Sequence, residues 1–400
     1  MLCEHKEMVA LPQDIEAQIL PNPNLSILKL LQYNLPIQHP NFLTAQIANF
    51  FDKNAPNETD PNIISKIPTP SKEIITSLQK HLVNAIKNSD TMSIKCIHSI
   101  AAEGMTYPLW IIAYWEKVGS VQEIRDNWRN GEVYLRDCLQ RWRKSKNIEG
   151  FNVVNQIFDA LAIVWWSDKL SGFSANAIES LNSLTYYAST KWLKGDHANQ
   201  MLDLLCKILQ RSQKSNIKVL STYLLSKISQ GFNDKDKYSN DKTFHFYRHI
   251  GDDLAAGTSH QIVFLVNLDR NHWISVIVDF HKQEILYGDS LGHTISASTQ
   301  NVLTWWTQFH SNANFTIKKL PITIQNNSFS CGLLAWNSLV AYLTGAKLLS
   351  ANEVAEGRLK VMLDIVHEHE SQKQVSKIPI CLHMTQQMPR NEKMKKKMKC

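Results

Sequence analysis

Two short apolar runs limit what this chain can become. Gln261–Leu268 reads QIVFLVNL and His272–Phe280 reads HWISVIVDF, with three residues between them. Runs of this length, rich in Val, Ile and Phe and bounded by polar residues, are strands rather than helices. A turn at His281–Gln283 leads to a third strand, Glu284–Tyr287 (EILY), which closes on Gly288-Asp289-Ser290. The remainder of the chain is organised around this sheet.

Chemistry gathers at one edge of it. His272 opens the second strand and Asp289 follows the third, so a hairpin brings the two to the same edge. A carboxylate there holds an imidazole in one tautomer and stabilises the imidazolium. Farther along, Asn301–His310 reads as a helix with Trp305 and Trp306 partly buried, and Phe315–Ile324 holds a short strand. Cys331-Gly332 then opens an apolar helix, LLAWNSLVAYLTG, that ends near Gly345. A Cys in a helix's first turn has its thiolate favoured by free N–H groups and the dipole. Gly332 lets a substrate backbone approach. Gln325, six residues before the thiol, can aim an amide at a developing oxyanion. Taken singly, a Cys is a small hydrophobe, a His beside Trp is structural, an Asp in GDS is a turn residue and a Gln is a surface amide. In this order and context they supply nucleophile, base, orienting carboxylate and oxyanion donor.

The pattern His272-Trp273, strand, Asp289-Ser290, then Gln325-x-Asn327 and Cys331-Gly332 resembles the ubiquitin-like protein protease family, the SUMO-deconjugating, clan CE-type cysteine peptidases. The spacings of seventeen residues from His272 to Asp289 and six from Gln325 to Cys331 are those of the family. So is an opening segment like Thr190–Leu209, with Trp192, Leu193, Asp196 or His197, and Asn199. The resemblance covers roughly residues 185–350. It implies an α+β, papain-like fold, with a helical subdomain on a mixed central sheet. It also implies cleavage after the Gly-Gly tail of a ubiquitin-like modifier, SUMO first, by His272, Asp289, Gln325 and Cys331. Trp192 and Trp273 would wall a tunnel that admits glycine and excludes Cβ atoms, and no cofactor or metal is needed. The chain departs from the family at Ser330, where an Asp is usual, which keeps a degenerate, binding-only domain in play. Some fungal mobile-element proteins carry similar domains. A Cys–His–Asp acyltransferase is the other alternative, but the 42 residues from Asp289 to Cys331 leave little room for a cofactor-binding insertion.

Four hundred residues exceed one ordinary domain. The expected organisation is a Pro/Asn-rich arm over 1–70 with short helices at Ser26–Leu31 and Asn41–Phe51 and a loop over 54–70, a helical region of unknown role over 71–184, a catalytic domain over 185–350, a helix over 351–370 and a basic flexible tail over 371–400. In the second region, Ser71 caps a helix with Ile74, Ile75, Leu78, Leu82 and Ile86 on one face. Further helices are expected over 91–104, 108–118, 120–144 and 152–170. Two or three helices are expected over 187–229 and an exposed loop over 231–243. Seven cysteines with no paired spacing fit a reducing compartment, in nucleus or cytoplasm. No run is long and apolar enough for a bilayer. The net charge of +7 owes much to the tail, NEKMKKKMKC. That run could serve as a nuclear address. The cluster Arg141, Arg143, Lys144 and Lys146 lacks a stacking platform, so nucleic-acid binding is not expected.

Overall fold

A computed structural model describes residues 9–38, 46–87, 91–95 and 104–377. Two sheets are present. The small one pairs β1 (Phe51–Asp52), β2 (Ser93–Lys95) and β3 (Thr106–Pro108), all antiparallel. The large one has the order β4 (Ile217–Val219), β5 (Gln261–Leu268), β6 (His272–Asp279), β7 (Glu284–Gly288) and β8 (Thr316–Lys319). Its three central strands form an antiparallel meander, with β4 and β8 added parallel at the edges. The fold is α+β with a mixed sheet and a mostly helical N-terminal region, as expected.

Every residue of β6 is buried. Alternation along it feeds two cores. Trp273 and Ile277 join Val263, Leu265 and Leu286 against the helices Gly195–Arg211 and Cys331–Thr344. Ile274, Val276 and Val278 join Phe264 and Ile285 against the helices Leu224–Asn233, His245–Ala255 and Ala297–Ser311. The sheet therefore lies between two helical layers, and its apolar strands have no face left for water. Ser275 breaks the apolar row, with its Oγ 2.7 Å from that of Ser338. This buried pair registers the Cys331 helix on β6.

Several expectations change. Residues 93–95 are a strand, and 96–103 lie outside the described residues, as do 41–45, part of an expected short helix. The expected loop at 54–70 contains a one-turn helix, Pro61–Ile64, capped by Asp60. One helix, Ile111–Ser145, replaces the two expected over 108–144. Gly119 does not break it, because Val118 and Val121 are buried on either side and packing outweighs the propensity cost of about 1 kcal/mol. The next helix is Ile148–Leu161 and stops short of 170. Beyond it the backbone of Val164 and Trp166 hydrogen-bonds Ile27 and Leu25. Residues 235–240 form a helix inside the expected exposed loop, and Tyr238 there is fully buried. Its hydroxyl accepts from Trp306 Nε1 at 2.8 Å and meets His310 Nε2 at 3.0 Å. β4 was not expected among the helices of 187–229. The last helix, Val354–Lys377, runs beyond the expected end at 370. Residues 371–377 of the expected basic tail thus belong to this helix, and 378–400 lie outside the described residues.

The Ser71-capped helix spans Lys72–Lys87 and buries Ile74, Ile75, Leu78 and Leu82. Arg141, Arg143, Lys144 and Lys146 are exposed. Among the described residues no helix is long and apolar enough to cross a membrane.

Candidate active site

Backbone register brings the histidine and the carboxylate together. His272 is the first residue of β6, paired with Leu268. Gly288, the last residue of β7, pairs with Ser275. Asp289 follows at once, and its Oδ1 lies 2.7 Å from His272 Nε2. The carboxylate is buried and well supplied with donors. Oδ1 also accepts from Leu291 N at 2.7 Å, and Oδ2 accepts from the Tyr287 hydroxyl at 3.1 Å. Exposed His293 comes to 3.6 Å from Oδ2. These contacts fix the carboxylate's rotation, so it fixes the ring.

Cys331 is the first residue of its helix. Its thiol and the His272 imidazole share a hydrogen bond. With Nε2 held by Asp289, the other ring nitrogen serves the sulfur. Burial would push the thiol up, but the hydrogen bonds from His272, the Trp273 backbone and the Trp192 indole leave it below its ordinary value. Burial would likewise pull His272 down. Its bonds to Cys331 and Asp289 outweigh that and leave it raised. The two shifts have the signs that favour a thiolate–imidazolium pair.

The aromatic pair lies over the sulfur. Trp192 and Trp273 stack with centroids 5.7 Å apart and planes 22° apart. Trp273 Nε1 donates to the Leu193 carbonyl at 2.7 Å, and Trp192 Nε1 donates to Cys331 Sγ at 3.2 Å. The thiol is therefore closed over, with Cys331 only 1% exposed. A tail reaching the sulfur has to move the half-buried Trp192.

Gly332 is buried, and a Cβ there would lie 3.3 Å from Trp273 Cδ1 and 3.5 Å from Leu193 Cβ. In this structure its missing side chain makes room for the Trp273 ring rather than for an incoming backbone. Gln325 is also occupied. Its Oε1 accepts from Ser290 Oγ at 2.7 Å, and its Nε2 donates to the Asn327 carbonyl at 2.7 Å, leaving one amide hydrogen uncommitted. The residues that seat the carboxylate and the pre-thiol loop — Tyr287, Leu291 and Asn327 — carry no chemical signature of their own. Only Asn327, inside the Gln-x-Asn pattern, had a signal in the sequence.

Residues 191–365 match the model of the Ulp1 protease family, C-terminal catalytic domain. This region is a Ulp1-family catalytic domain. All the site residues described above fall inside the Ulp1-family match. No curated protein sequence matches the chain significantly. Among solved structures it is similar to the C-terminal Ulp1 protease domain in complex with Smt3, the yeast ortholog of SUMO. There the identity is 19% and the TM-score 0.42, over 54% of this chain and 93% of that one. It is also similar to the Ulp1-like SUMO protease catalytic domain of Chaetomium thermophilum, at 11% identity and TM-score 0.36, over 45% and 74%. The Xanthomonas campestris effector XopD bound to ubiquitin is similar at 16% identity and TM-score 0.30, over 45% and 92%.

Proposed function

We propose that this domain is a cysteine protease that cuts after the C-terminal Gly-Gly of a ubiquitin-like modifier, SUMO first, releasing a lysine amine or a following peptide. Cys331 is the nucleophile, His272 the general base and acid, and Asp289 the orienting carboxylate. The observation that carries the reading is the relay from Asp289 through His272 to Cys331, with the thiol lowered and the imidazole raised. Family membership of the same segment supports it.

The thiolate attacks the glycine carbonyl carbon. Negative charge moves to oxygen, where the Cys331 backbone N–H and the remaining Gln325 amide hydrogen receive it. The intermediate collapses as the imidazolium gives its proton to the leaving amine and the C–N bond breaks. Neutral His272 then takes a proton from water, whose oxygen attacks the thioester. The C–S bond breaks and the thiolate returns beside the imidazolium. Once Trp192 moves off the sulfur, Trp192 and Trp273 wall the channel, and the close fit of Gly332 to Trp273 sets the position of one wall. The setting is intracellular, in nucleus or cytoplasm, where thiols stay reduced.

The test is incubation with SUMO, NEDD8 and ubiquitin carrying C-terminal electrophiles, with Cys331→Ala as control. Labelling of one modifier that vanishes in the variant is the expected result. No labelling of any modifier by the intact protein would overturn the reading in favour of a binding-only domain.

A further inference from the structure

Arg358 is a buried charge for which the proposed chemistry has no use. It lies near the start of the last helix and is 0% exposed. A guanidinium removed from water needs an anion or a set of fixed acceptors. Arg358 has the acceptors. Nη2 donates to the carbonyls of Tyr186 and Lys191, the latter at 2.8 Å, and Nε donates to that of Tyr187 at 3.4 Å. Nη1 donates to the Phe329 carbonyl at 3.4 Å, and the Phe329 ring centre lies 5.7 Å from the guanidinium carbon. Among the described residues no Asp or Glu pairs with it.

The four carbonyls fall in two stretches that converge on the thiol. Tyr186, Tyr187 and Lys191 lead into Trp192, whose indole covers the sulfur. Phe329 stands two residues before Cys331. A single planar fork thus binds the lid segment to the nucleophile segment, which a lysine's point charge cannot do. The acidic groups that bear on the guanidinium are Tyr134, Tyr187 and Cys331. Burial pushes Tyr134 up to about 12 and Tyr187 well above its ordinary value, so both phenols stay neutral. The thiol alone is left to become an anion beside Arg358. Burial lowers the guanidinium to about 10, and it remains protonated at neutral pH.

We infer that Arg358 is a positioning residue, whose fork ties the Trp192 segment to the Cys331 segment and whose fixed charge favours the thiolate. The lid's part in this rests on the proposed function, whereas the thiol's part does not.

The test uses the full chain and two variants, Arg358→Met and Arg358→Lys, each checked for folding by circular dichroism. The first readout is the pH profile of Cys331 alkylation by iodoacetamide, followed on the Cys331 peptide by mass spectrometry. The second is labelling by the electrophilic modifier probe. Arg358→Met is expected to move the alkylation profile to higher pH and slow alkylation at neutral pH by about tenfold, the change in thiolate fraction for one pKa unit. Arg358→Lys is expected to keep the profile, since the charge stays, while probe labelling slows because the fork is gone. If Arg358→Met does not fold, the Lys variant decides: a wild-type profile with slowed labelling supports the inference. A folded Met variant with wild-type profile and labelling overturns it, as does a folded Lys variant unchanged in both, or failure of both variants to fold. An intact protein that labels no probe, with a Met variant that still shifts the alkylation profile, sinks the protease reading and leaves the charge effect standing.

Discussion

Asp289→Asn separates charge from shape at the relay. Three donors converge on the Asp289 carboxylate, the His272 ring at 2.7 Å, Leu291 N at 2.7 Å and the Tyr287 hydroxyl at 3.1 Å, and the exposed His293 ring comes to 3.6 Å. An Asn amide offers one acceptor oxygen and one NH2. With the oxygen toward His272 and Leu291, the NH2 meets Tyr287, whose hydroxyl can turn to accept. The imidazole therefore keeps its tautomer and loses its anion. A hydrogen bond to a charged group contributes roughly 1.5–3 kcal/mol, against roughly 0.5–1.5 for a neutral one. The difference, about 1–2 kcal/mol, corresponds to about 5- to 30-fold in rate. That loss is expected in probe labelling and in Cys331 alkylation at neutral pH. The pH profile adds a sign. On the proposed mechanism the thiolate–imidazolium pair is populated between the lowered thiol midpoint and the raised imidazolium midpoint. Asn destabilises the imidazolium, so the alkaline limb of the rate profile moves to lower pH. A folded Asp289→Asn protein with wild-type rates and an unmoved alkaline limb would refute the assignment of Asp289 as orienter.

Trp192→Phe keeps an aromatic ring over Trp273 and removes the N–H that lies 3.2 Å from Cys331 Sγ. Its alkylation midpoint should rise by the worth of one hydrogen bond, roughly 0.5–1.5 kcal/mol, or up to about one pKa unit; an unshifted midpoint shows that the indole only shields the sulfur. Ser338→Ala removes the 2.7 Å contact with Ser275, but Ser275 keeps the Gly288 carbonyl at 3.3 Å. The stability loss in a urea titration should be about 1 kcal/mol, and a neutral or stabilising result means that the pair does not register the helix on the strand.

The meeting of His272 and Asp289 at one sheet edge was readable because strand periodicity fixes where ends meet. Once His272 opens one strand and Asp289 follows the next, the hairpin leaves them little choice of neighbour. The start of the Cys331 helix was readable for a similar reason, from an apolar run behind a polar loop. Tyr238 was hidden because one buried ring sits among charged residues, GFNDKDKYSNDKT, that look like loop. Its burial depends on Trp306 and His310, some seventy residues away in the chain. Val164–Trp166 is apolar enough for a helix, yet Leu25–Ile27 offers its backbone a partner that no local pattern announces. The closed thiol is of the same kind, since Trp192 is held over the sulfur by Trp273 and Cys331, 81 and 139 residues away in the chain. Arg358, one basic residue in a helix of mixed character, gave no sign of its carbonyl cage.

Ser330, the one departure from the family pattern, reads differently once its partners are known. It is fully buried, and its Oγ donates to Asn327 Oδ1 at 2.7 Å. The same oxygen accepts from Phe329 N and Ser330 N, each at 3.0 Å. Asn327 thus gathers three donors and closes the loop that delivers Cys331, and the serine is a full member of that set. A carboxylate at 330 could not donate to Asn327, and it would place a second acceptor against the first. It would also put a second anion in the residue after the Phe329 carbonyl that Arg358 holds, beside the thiol. Here the hydroxyl is satisfied and the loop is tied at both ends, by Asn327 from within and by Arg358 from behind, so Ser330 leaves the loop that carries Cys331 fully hydrogen-bonded without the carboxylate usual at this position.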